Sequence, residues 1–104
     1  MSWSTEQQRS DAARALLRSI GHGDLWTDRG PTGEACQLLE EDGGYLSSGG
    51  RVILRFAFDC WNGQGRIPAD ELLYSLDPRR LRLVGTLMVA LAEGTVDRWL
   101  EANR

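Results

Sequence analysis

Apolar positions along this chain recur mostly at helical spacing. Ala13, Leu16, Leu17 and Ile20 return every three or four residues and form one stripe. The helix they predict runs from Ser4 to Ile20. Ser4 with Gln7 three residues on has the form of a capping box, and Gly21 and Gly23 supply the stop. Residues 22–30 read as a loop, with Leu25 and Trp26 as an apolar anchor that tucks it onto the core. Pro31 is placed to open a second helix, whose apolar positions are Ala35, Cys36, Leu38 and Leu39 and whose end is Gly43-Gly44.

The stretch from Arg51 to Trp61 decides the fold class. Val52, Ile53, Leu54, Phe56 and Phe58 have strand propensity. The polar residues argue otherwise: Arg51, Arg55 and Asp59 recur every four residues, whereas a strand alternates with period two. A period-four polar stripe on an otherwise apolar cylinder predicts a nearly buried helix over about 49–61. Ser48 is its expected N-cap, and Arg55 and Asp59 are expected to pair across one turn.

Beyond a turn at Asn62–Arg66, Pro68 opens a short helix to about Leu76, with Leu72, Leu73 and Leu76 facing inward. Asp77-Pro78 reads as an N-cap followed by proline at the first helical position. The helix behind it reaches about Glu93, with Leu83, Val84, Leu87, Met88 and Leu91 as its core face. Gly94 ends it, and Thr95 caps a last helix carrying Val96, Trp99 and Leu100. The pattern therefore predicts an all-α, compact single-domain bundle (residues 1–104) of five or six short helices around a central buried helix.

Composition changes this picture little. At 104 residues, 41% hydrophobic and 26% charged, the chain has an ordinary globular balance. All twelve basic residues are arginine, a bias that suits forked pairing with carboxylates and phosphates. The net charge of −3 argues against broad nucleic-acid binding. Two unpaired cysteines and a polar opening from Met1 to Arg18 predict free thiols and a soluble, cytoplasmic protein with no membrane span.

Candidate chemistry begins at residues 60–71. Asn62, Gly63, Gly65, Ile67 and Glu71 fall at positions 3, 4, 6, 8 and 12 of a twelve-residue loop, and there the segment resembles an EF-hand calcium loop. The resemblance implies oxygen ligands at Asn62, Gln64, the Arg66 carbonyl and Glu71. Cys60 stands where that family places Asp, and Pro68 has no side-chain oxygen to give. Metal binding is therefore not the expected function, and no cofactor is expected. Asn62, Gln64 and Glu71 remain the candidates should a cation bind.

The second candidate is Arg79, Arg80 and Arg82, which crowd a helix N-terminus and oppose its macrodipole. They call for an anionic complement, either in the protein or on a partner. Trp3 and Trp99, near the termini, are the expected exposed anchors. Glu40-Glu41-Asp42 makes the N-terminal half acidic against a mildly basic C-terminal half, so copies of the chain would also be able to meet through the two, head to tail or across a two-fold axis. The segment 43–51 could cradle an anion with help from Arg51. His22, the single histidine, has no local nucleophile or orienting partner, so catalysis is not expected. The expected function is non-enzymatic: a small regulatory or interaction protein that docks an acidic protein surface. Two alternatives follow from the same residues: a helix-turn-helix-like nucleic-acid module over 68–93, and a calcium-responsive module over 60–71.

Overall fold

A computed structural model describes residues 4–104. Among these residues the chain forms six α-helices and one very short antiparallel pair. The helices are α1 (Glu6–Ser19), α2 (Gly33–Glu40), α3 (Ser48–Asn62), α4 (Ala69–Ser75), α5 (Pro78–Glu93) and α6 (Val96–Ala102). The all-α expectation holds, with α3 at its centre.

Four of the six helix starts carry a side-chain cap, three of them at a different residue from the expected one, whereas Thr95 precedes α6 without a side-chain capping bond. Thr5, not Ser4, caps α1: its hydroxyl accepts from the Gln8 amide at 3.0 Å, and Gln8 accepts from the Thr5 amide at 2.9 Å. The two possible boxes overlap by one residue. Gln7 is used elsewhere, donating to Asp11 and to the Asp28 carbonyl. Thr32 caps α2 by accepting from the Ala35 amide, because Pro31 is taken up in the strand pair. Ser47, rather than Ser48, caps α3 through the Gly50 amide. Asp77, Pro78 and Gly94 bound α5 where the sequence places them.

The expected loop at 22–30 has more structure than its composition suggests. A single 3-10 turn (Gly23–Leu25) leads into β1 (Trp26–Thr27), which pairs with β2 (Gly30–Pro31). The Leu25–Trp26 anchor holds: both side chains are fully buried. Trp26 meets Phe58 edge-on at 5.2 Å and Trp61 at 5.6 Å between ring centroids. Its indole N–H donates to the buried Ser10 hydroxyl at 3.0 Å, which satisfies the one polar atom that burial would otherwise strand.

Helix α3 buries Val52, Ile53, Leu54, Phe56, Ala57, Phe58 and Cys60 against α1, α2 and α4. Its polar stripe works differently from the expected Arg55–Asp59 pair. Asp59 accepts the Arg66 and Ile67 amides at 2.7 and 3.0 Å. Arg55 donates to the Gly65 and Arg66 carbonyls, both at 2.9 Å. The two side chains thus clamp the turn that follows α3, and Arg66 is held at a positive φ of 50° between them.

On α4 and α5 two inward-facing assignments fail. Leu73 is exposed on α4, and Met88 is 49% exposed on α5. The buried line of α5 is Val84, Leu87 and Ala90, and Met88 lies one residue's rotation (about 100°) off Leu87. Because α5 is apolar nearly all round, periodicity leaves its core side ambiguous.

The clamped turn generates a sharp prediction. A Cβ at Gly65 would collide with the Arg55 carbonyl oxygen, so the turn can close on α3 only without a side chain there. Gly65→Ala should destabilise the protein toward the upper end of the overpacking range, about 1–3 kcal/mol, in a urea titration. A change within experimental error would refute the close approach.

The cysteines supply another. Cys36 is exposed, contrary to its assignment to an apolar face, while Cys60 is buried. Burial, with a smaller effect from the Asp59 charge, pushes the Cys60 thiol up to about 12. A thiol reagent at pH 8 should label Cys36 quickly and Cys60 only on unfolding; rapid labelling of both would contradict the packing of α3.

An arginine-lined groove as the candidate functional site

The N-terminus of α5 is built by its own sequence. Asp77 accepts from the Arg80 amide at 2.8 Å and from the Arg80 guanidinium at 2.6 Å. These bonds hold the Asp77 carboxyl below its ordinary value, the backbone N–H contributing most. Pro78 fills the first helical position. One of the three crowded arginines is therefore satisfied internally. Arg79 and Arg82 form no ion pair and no side-chain hydrogen bond among the described residues.

Tertiary packing then adds arginines that the local motif does not contain. Helices α1 and α6 both pack on α5, and a groove of about 690 Å³ opens between the three. Arg18 enters from the last turn of α1, Arg79, Arg80 and Arg82 from α5, and Arg104 from beyond α6. No Asp or Glu is among the lining residues. Arg18 is exposed and makes no ion pair among the described residues, whereas Arg104 reaches Glu101 at 3.4 Å. A smaller recess of about 300 Å³ continues past Arg18 and Arg104 to Arg14 and Asp11. The Arg14 Nε is buried there without a hydrogen-bond partner among the described residues.

Trp99 belongs to this site in a role opposite to the expected one. It is 6% exposed, not a protruding anchor, and its indole N–H donates to the Thr86 hydroxyl at 3.0 Å. It forms part of the wall that joins α6 to α5. Val96 and Trp99 are the buried residues of that short helix, so packing claimed the indole. Trp3 lies outside the described residues. Arg14 and Arg18 were missed by local reading, although their four-residue spacing on one helix was a visible signal. Arg104 carried no such signal.

The EF-hand-like segment is organised as a helix end and a clamped turn. Cys60, Trp61 and Asn62 are the last turn of α3, and Asn62 accepts from the Gln64 amide at 3.0 Å. The Glu71 carboxylate faces Arg51 and Arg55, each at 3.3 Å, instead of converging with Asn62 and Gln64. Asp42 meets the same arginines at 3.3 and 3.8 Å. Arg51 is thereby committed, and the Gly-rich segment before α3 loses the cation that would help it hold an anion. Among the described residues no three His, Cys, Asp or Glu side chains are grouped to hold a metal ion. His22 stacks at a tilt against Tyr45, 6.2 Å between centroids, and neither it nor either cysteine lines the groove.

No family model, curated protein or solved structure matches the chain. No helix among the described residues is long and apolar enough to cross a membrane.

The pairing of Glu71 predicts the response to calcium. Adding Ca²⁺ to about 1 mM, the weak end of known modules, should leave the melting temperature and tryptophan emission unchanged. A saturable shift in either would mean that Glu71 leaves Arg51 and Arg55 for a cation.

Proposed function

We propose that this protein acts by binding, as a non-enzymatic interaction or regulatory protein that docks an acidic segment of a partner protein in the groove between α1, α5 and α6. The observation that carries this reading is the convergence of Arg18, Arg79 and Arg82. They come from two helices, line one groove and form no ion pair among the described residues. Clustered guanidinium groups repel one another, and a carboxylate-bearing ligand relieves that repulsion while accepting forked hydrogen bonds. The contrast with Arg51 and Arg55, which share Glu71 and Asp42, supports the same reading: the two arginines that hold the central helix are paired within the chain.

A protein ligand fits better than nucleic acid. The net charge is −3, and only five of the twelve arginines line the groove, a narrow footprint for a nucleic-acid backbone. Calcium sensing receives no support from a loop whose only carboxylate at a ligand position is already paired.

The test is fluorescence anisotropy with two probes, a glutamate-rich peptide and a DNA duplex, against the native chain and an Arg18→Ala/Arg79→Ala/Arg82→Ala variant. The peptide should bind, and the variant should lose about tenfold or more in affinity. Peptide affinity indifferent to the three substitutions would overturn the reading. Tighter duplex binding that collapses steeply with salt would replace it with the nucleic-acid module.

A further inference from the structure

Helix α5 has a second surface, on the side away from the core, that the groove does not use. Between Arg82 and Glu93 lie ten residues without a charge, Leu83 to Ala92. Val84, Leu87 and Ala90 are spent on the core. The outward stripe is Gly85, Met88, Val89 and Ala92, with Leu81 at its margin packing back on the core. Leu81 and Gly85 are half-buried, Ala92 is exposed, and Met88 and Val89 are 49% and 54% exposed. Scattered apolar residues on a surface need no explanation. An uninterrupted apolar stripe on a sixteen-residue helix does, because solvent-facing stripes are ordinarily charged.

We infer that this stripe is the self-association surface of the protein, pairing α5 with α5 of a second copy in antiparallel, two-fold fashion. Three features select that occupant. First, the stripe is bounded by opposite charges, Arg82 at its start and Glu93 at its end, on the same edge of the helix. An antiparallel crossing centred between Leu87 and Met88 sets Arg82 of each copy beside Glu93 of the other, giving two equivalent ion pairs. Neither residue is ion-paired within the chain among the described residues. Second, the same register brings Val89 of each copy to within one residue's rise, about 1.5 Å, of the level of Gly85 on the other. A Cβ at Gly85 would meet nothing within 4 Å, so that position offers an open notch where a side chain from another helix can seat. Third, Met88 falls next to the axis, where a flexible thioether adapts to its own symmetry mate. A self-complementary patch of this kind gives a closed dimer and not a filament.

The surface is separate from the acidic-ligand groove, although Arg82 borders both. Val89→Glu and Glu93→Arg therefore lie outside the groove, and the charge swap, which alters Arg82, is read by dimerisation alone. Sedimentation of the full chain across micromolar concentrations should show a reversible monomer–dimer equilibrium. Val89→Glu, at an exposed position that leaves the core intact, should abolish the dimer while keeping the native circular-dichroism spectrum. Glu93→Arg should weaken the dimer by about tenfold, the loss expected from two surface pairs turned repulsive. Arg82→Glu combined with Glu93→Arg should restore it. A chain that stays monomeric throughout, a dimer that survives Val89→Glu, or a charge swap that fails to restore pairing would each overturn the inference.

Discussion

The structure depends on keeping α3 buried while giving its one polar stripe something to hold. Seven apolar or cysteine side chains of α3 leave water, and α1, α2 and α4 are arranged around them. Arg51, Arg55 and Asp59 cannot follow them inward unpaired without a large desolvation cost. They are placed at the rim, where Asp42, Glu71 and the backbone of the 65–67 turn meet them. The stripe therefore fixes two neighbours at once. It closes the turn after α3, and through Glu71 it sets where α4 lies. The path into α5 follows from that placement, so the position of the groove is a distant consequence of three polar residues on the central helix.

Arginine divides into two populations in this protein, and the division separates scaffold from surface chemistry. Around α3 each guanidinium meets more than one acceptor. Around α5 several meet none. Net charge does not reveal this, because it sums acids and arginines without regard to where the fold places them. A −3 protein can present a locally positive groove when its structure sorts the charges spatially. Helix α5 joins the two surfaces proposed to meet partners. One side of it faces the groove, its opposite side is apolar, and its buried line ties both to the core.

Sequence by itself determined the helical class, the burial of α3, the ends of α5 and the anchoring of Trp26. Each rests on a local signal: a period-four polar stripe, a cap followed by proline, a terminal glycine, or a large apolar residue in a polar stretch. Cap positions at Ser4 and Ser48 slipped by one because adjacent hydroxyl residues compete for one role, and only the backbone geometry selects between them. The tertiary structure decided everything that depends on residues distant in sequence. It buried Trp99 against Thr86, turned Glu71 from a candidate cation ligand into the partner of Arg51 and Arg55, and brought Arg18 and Arg104 to the three arginines of α5. It also chose which side of α5 faces water. The physical reason is the same throughout. Periodicity and capping act over one or two helical turns, whereas burial and charge pairing are settled between elements, and no local pattern states which element will arrive opposite a given side chain.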